Sequence, residues 1–159
     1  MKKPIVIAGN GPSLAHIDYR RLPADFDVFR CNQFYFEDKY FLGRRVTGAF
    51  LNLHVEKQQY FNFKMLQQRN EYVIDQKYVI SNSPDWENEV NFPGAKSTFC
   101  FLESLPQFHE LQKFLAFYYD KYFTSTINML IAALAMGYRE IYMVGLDFYA
   151  GGGQITRLT

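Results

Sequence analysis

Cysteine is scarce in this chain. Two residues, Cys31 and Cys100, make neither a disulfide framework nor a four-ligand zinc site. Both read as reduced, largely buried thiols. The three histidines, His16, His54 and His109, have no metal-ligand spacing, so no metal site is expected. An excess of one charge sign is also missing: 17 Lys and Arg face 16 Asp and Glu, for a formal net charge of +1. Nucleic acid needs a basic stripe, and none is present. The pairs Arg20-Arg21 and Arg44-Arg45 read as solvated faces. No apolar run approaches the roughly 20 residues of a membrane-spanning helix. The run after Met1-Lys2-Lys3-Pro4 stops at Gly9, too short for a signal-peptide core. A cytoplasmic location is therefore expected. There is no Gly-x-Ser-x-Gly elbow and no nucleophile with a paired base.

What is present suits one globular domain. The 159 residues are 48% hydrophobic, enough to bury a core. Aromatics reach 18%, with 16 Phe, 12 Tyr and 1 Trp. Such rings line sugar sites, but more often fill cores and interfaces.

Ile5-Val6-Ile7-Ala8 is a continuous apolar run ended by Gly9-Asn10-Gly11-Pro12-Ser13, which predicts a buried strand and a tight turn. A short helix is predicted within Leu14 to Leu22, then strands over 27–31, 46–51 and 72–80, with a helix over 55–69 between the last two. Residues 81–104 read as irregular. Helices are predicted over 105–119 and 127–136, the second opened by Thr124-Ser125-Thr126 and closed by Gly137. The last strand lies within Glu140 to Leu146. Alternating strands and helices predict an α/β fold, Rossmann-like, with a mostly parallel sheet flanked by helices.

In open α/β sheets, ligands bind beyond the carboxyl ends of the strands. Here those ends carry Asn10, Asn32, Asn52 and Asp147. One Asn is ordinary turn chemistry. Three at one edge would form a ring of amides that donate and accept without adding charge. The glycine turn would let backbone N–H groups approach a phosphate. However, Leu14 stands where G-x-G-x-x-G needs its third glycine. No acid closes the second strand to hold an NAD ribose, and the Gly-Lys-Ser/Thr of a P-loop is missing. A nucleotide site is expected, with NAD and ATP disfavoured. Thr124 to Thr126 would cap a helix whose N-terminus attracts a phosphate or carboxylate.

With those motifs in hand, the chain resembles the bacterial lipooligosaccharide sialyltransferases of glycosyltransferase family 42. The resemblance is carried by Ile7 to Leu14, by Phe26 to Tyr40, by Gly137 to Tyr142, and by Gly145-Leu146-Asp147-Phe148-Tyr149. It implies a Rossmann-like, GT-A-like fold and metal-independent, inverting transfer of sialic acid. The donor would be CMP-sialic acid, with no cofactor, and the acceptor a galactose- or sialic-acid-terminated glycan. By the resemblance, Asn10, Gly11 and Ser13 lie near the CMP phosphate and ribose. Asn32 binds the donor, Asn52 the sialic acid, and Thr124 and Ser125 help hold the donor. Gly145 lines the cytidine pocket, and Tyr149 donates to the leaving phosphate, a role a phenol O–H suits. The resemblance also implies homo-oligomers and peripheral attachment at the inner face of the bacterial inner membrane.

Three departures stand out. Tyr122 occupies the place of a family Arg just before the Thr-Ser pair. Ile155 lies where a second phosphate-facing Tyr is expected. The family's His general base matches none of His16, His54 or His109, and inverting transfer needs a base. The expectation is a CMP-sialic acid-binding domain over 1–149 and an unstructured, non-family tail over 150–159. The lid and C-terminal part would be missing, and the chain inactive in transfer. A guanine run encoding Gly151 to Gly153, prone to slippage, would account for such an ending. The alternatives are a non-catalytic nucleotide-sugar-binding remnant and an unrelated Rossmann-like oxidoreductase, which Leu14 counts against.

Overall fold

The computed structural model describes residues 2–83, 92–147 and 156–158. Strand β1 (Ile5–Ala8) is buried at all four positions, as a strand in the middle of a parallel sheet must be. Strands β2 (Asp27–Cys31), β3 (Arg45–Asn52), β4 (Val73–Ile80), β5 (Ala95–Ser97) and β6 (Ile141–Val144) join it. All six are parallel, in the order β5-β4-β3-β2-β1-β6. Strand β7 (Thr156–Leu158) adds an antiparallel edge beside β6. This is the Rossmann-like α/β architecture expected from the sequence. The chain builds outward from β1 to β5, then returns to place β6 on the other side of β1. The ends of β1 and β6 thus flank a topological switch point, where such sheets bind ligands.

Helices α1 (Glu56–Gln68), α2 (Phe99–Glu103), α3 (Pro106–Tyr119) and α4 (Ser125–Ala135) complete the fold. Helix α4 lays Met129, Ala132 and Ala133 against Ile5, Ile7, Phe29 and Phe50 on one sheet face. On the other face Leu14, Ile17 and Leu22 cover Val6, Ala8, Val28 and Val144. Beside them Phe63 and Leu66 of α1 pack on Leu51, Tyr72 and Ile74. Much of the aromatic excess is core: Phe29, Phe34, Phe50, Phe63 and Phe92 are fully buried.

The helix expected within Leu14 to Leu22 is instead two short 3-10 turns, Pro12–Ala15 and Tyr19–Arg21. The Asp18 carboxylate accepts the Arg20 N–H at 3.2 Å, an alternative partner that breaks the run. Within the stretch read as irregular, β5 and α2 were overlooked because each is too short to show a period. The sequence offered no strand after Leu146, and β7, three residues long, is the difference there. Gly137 closes α4 as expected, with φ +82°.

The cysteines differ from their reading in one respect. Cys31 is buried, and burial pushes its thiol up to about 11, with Arg30 opposing the shift. Cys100 is exposed. A thiol reagent at pH 8 is expected to label one equivalent in the native protein and two in denaturant. Cys100→Ser should abolish the native signal; labelling that persists would contradict this burial. Among the described residues no helix is long and apolar enough to cross a membrane.

Candidate functional site

Two neighbouring strand ends are stitched together at the switch point. The turn after β1 donates from the Gly9 N–H to the Val144 carbonyl and from the Gly11 N–H to the Gly145 carbonyl, both at 3.0 Å. The Ser13 N–H donates to Asp147 Oδ2 at 2.8 Å. Gly11 is required by this closeness: a Cβ there would sit 2.5 Å from the Asp147 carboxylate. Gly145 is required by its conformation, with φ +66°.

This stitching changes the chemistry expected of the turn. Three of its N–H groups are already engaged within the protein, so it does not present them as a phosphate cradle. It offers instead the side chain of Asn10, whose Nδ2 donates to the Cys31 carbonyl at 2.9 Å. That leaves the amide oxygen as an acceptor. Among the described residues, Ser13 Oγ and Asp147 Oδ1 are buried without a hydrogen-bond partner. The sequence places Asp147 at a strand end but does not reveal its bond to the Ser13 N–H. A single acid after Gly-Leu carries no pattern that would have singled it out.

Asn32 joins three elements. Its backbone is left-handed, with φ +49°, uncommon for a residue bearing a Cβ. Its N–H donates to the Phe50 carbonyl at 2.8 Å. Its Oδ1 accepts the Asn52 N–H at 3.1 Å, and its Nδ2 donates to Ser125 Oγ at 3.3 Å. One side chain thus connects the ends of β2 and β3 to the start of α4. Asn52 Oδ1 accepts the His54 N–H at 3.1 Å, and Asn52 itself is exposed. Thr124 caps α4, accepting from the Ile127 N–H at a long 3.5 Å. The N–H groups of Ser125 and Thr126 begin the helix, where no intrahelical acceptor exists.

Two cavities adjoin this edge. One, about 320 Å³, lies beside the glycine turn and is lined by Asn10, Gly11, His16, Arg30 and Gln33 among others. The other, about 590 Å³, lies between the ends of β3 and β4 and the start of α4. Asn52, His54, Asn82, Tyr122, Thr124 and Ser125 line it. His109 meets neither cavity and packs edge-on against Phe99 at 5.6 Å. Among the described residues no group of three or more His, Cys, Asp or Glu could hold a metal ion. Of the site residues drawn from the sequence, the fold brings Asn10, Gly11, Ser13, Asn32, Asn52, Thr124, Ser125 and Gly145 to one edge of the sheet. Tyr149 lies outside the described residues, as does Ile155.

The fold and the sequence both recur in known proteins. The family described as Alpha-2,3-sialyltransferase (CST-I) matches residues 3–156. A structure of the monofunctional alpha-2,3-sialyltransferase Cst-I from Campylobacter jejuni is similar, with TM-score 0.88 and 42% identity. The match covers 96% of this chain and 58% of that one. The sialyltransferase CstII from Campylobacter jejuni, in complex with the substrate analogue CMP-3FNeuAc, gives TM-score 0.84 and 43% identity. It covers 94% of this chain and 66% of that one. A sialyltransferase CST-II in complex with a trisaccharide acceptor and CMP gives 0.86 and 43%, covering 94% and 65%. The chain therefore spans less than two thirds of the length of these three relatives.

Proposed function

The chain belongs to the alpha-2,3-sialyltransferase (CST-I) family, and from that premise we propose that its switch-point edge binds CMP-sialic acid for transfer of the sialic acid to a glycan. The observation that carries this reading is the Asn32 amide, which draws the ends of β2 and β3 and the start of α4 around one edge. Uncharged amides and a helix N-terminus suit a donor that presents a phosphate, a carboxylate and many hydroxyls.

In this reading Asn10, Gly11 and Ser13 flank the phosphate and ribose, Asn32 holds the donor, and Gly145 shapes the cytidine pocket. The sialic acid extends toward Asn52, where the N-terminus of α4, with Thr124 and Ser125, faces its carboxylate. Tyr149 donates to the departing phosphate. Transfer is inverting and independent of metal, to a galactose- or sialic-acid-terminated glycan, and takes place in the cytoplasm. An inverting reaction needs a base for the acceptor hydroxyl. In the proposed role of the 159-residue chain, donor binding is retained and transfer is silent.

Calorimetric titration with CMP, CMP-sialic acid, UMP and NAD tests the donor claim. The cytidine ligands are expected to bind at least about tenfold tighter than NAD, a gap of about 1.4 kcal/mol, and EDTA should change nothing. Equal affinity for NAD would sink the reading, and loss of binding in EDTA would sink metal independence. Mass spectrometry with CMP-sialic acid and lactose is expected to show no product. If sialyllactose forms, a base lies within the chain, and His54, which faces the larger cavity, is the residue to replace.

A further inference from the structure

Tyr122 has an unusual setting. Its backbone is fixed from both sides by one buried side chain: Gln112 Nε2 donates to the Lys121 carbonyl at 3.1 Å, and Gln112 Oε1 accepts the Phe123 N–H at 2.8 Å. Gln112 is only 3% exposed. A second buried amide, Asn128 Nδ2, donates to the carbonyls of Phe123 and Thr124, each at 3.1 Å. Two buried amides thus hold residues 121–124 in place. Yet the residue at the centre is 56% exposed, and among the described residues it makes no hydrogen bond and no ring contact. A core has no need for such an arrangement, because the clamped residue adds little burial.

Tyr122 instead lines the 590 Å³ cavity together with the amide-bearing ends of β3 and β4. That volume is within the range of small-molecule sites, about 300–1,000 Å³. Amides and hydroxyls from Asn52, Asn82, Thr124 and Ser125 supply donors and acceptors on the remaining walls. An exposed ring carried on a clamped backbone beside amides fits a pyranose. The C–H face of the sugar carries partial positive charge and rests on the negative face of the ring, while its hydroxyls meet the amides. The backbone that carries it is already ordered by Gln112 and Asn128, so binding does not have to order it.

We propose that Tyr122 is the platform for the terminal sugar of the acceptor and the residue that sets acceptor preference. The favoured sugar is a galactopyranose, whose axial 4-hydroxyl leaves the opposite face rich in C–H groups. This rests on the donor reading above, which places the sialic acid end of the donor in the same cavity.

The test is titration of lactose into the full chain by saturation-transfer difference NMR, with and without saturating CMP. CMP affinity and melting temperature are followed in parallel. Tyr122→Ala is expected to weaken lactose about tenfold while leaving CMP affinity and melting temperature unchanged. Tyr122→Phe keeps the ring and should keep lactose binding within about twofold. Unchanged lactose affinity in Tyr122→Ala overturns the proposal, as does equal loss of CMP and lactose at an intact melting temperature. Failure of the parent to bind lactose also overturns it. If the parent binds lactose but not CMP, and Tyr122→Ala loses the lactose, the platform stands and the donor reading falls.

Discussion

Arg30→Met is expected to lower the free energy of unfolding by about 3–5 kcal/mol in urea denaturation, the range for breaking a buried ion pair from one side. The Arg30 and Glu37 side chains are 2% and 6% exposed and meet at 2.9 Å. Glu37 also accepts from the Tyr72 hydroxyl at 2.9 Å, and the guanidinium lies 5.2 Å from the Phe34 ring centre. Without Arg30, Glu37 keeps a buried charge with one neutral donor. The combined change Arg30→Met, Glu37→Leu and Tyr72→Phe removes every member together, leaving no orphan. It is expected within about 2 kcal/mol of the parent, because buried pairs replaced by apolar groups are often neutral. The Arg30 Nε has no partner, so the network is incomplete even now. If the single change cost no more than the triple, the stress would not lie in the orphaned carboxylate.

This network orders the segment after β2, for which the sequence predicts no element. Residues 33–42 carry aromatics and charges without a period, yet they are ordered by side chains. Phe34 is buried against Phe63 and Tyr72, the Tyr35 hydroxyl donates to Gln59 Oε1 at 2.9 Å, and Glu37 closes on Arg30. Only tertiary partners fix such a segment, so local propensity is silent. The strands were legible for the opposite reason. Ile5 to Ala8 is buried on both sheet faces, and its unbroken apolar run reports that directly.

Which residues share this sheet edge was legible in the sequence more than how they are arranged there. Asn10, Asn32 and Asn52 at strand ends suggested an amide-rich edge, and the fold assembles one. What the letters could not carry is how each group is used. The glycine turn looked like a row of free N–H donors, but the end of β6 and the residues after it, up to Asp147, consume three of them. That pairing depends on the chain returning to β1 after passing through four other strands, a crossover with no local signal. The bond of Asp147 escaped for the same reason, since its partner Ser13 lies at the far end of the sequence. The Gln112 and Asn128 clamps on residues 121–124 were equally invisible, because a polar residue on a helix does not name its tertiary partner.

Asn32→Gly and Asn32→Ala should separate backbone from amide at the centre of this edge. At φ +49° alanine pays about 1–2 kcal/mol for a left-handed conformation, whereas glycine pays nothing for its Cβ. Both changes lose the bonds to Asn52 N–H and Ser125 Oγ, each worth about 0.5–1.5 kcal/mol net. Asn32→Gly should therefore be the more stable of the two by urea denaturation. CMP affinity should not follow that order. An amide has two N–H donors and two lone pairs, and Asn32 spends one of each on the protein. If the remainder meets the donor, both variants lose roughly ten- to a hundredfold in CMP affinity by calorimetry, about 1.4–2.8 kcal/mol, despite their different stabilities. If Asn32→Gly binds CMP as tightly as the parent, the amide only connects β2, β3 and α4, and the contact with the donor must be sought at Asn10 and Asp147.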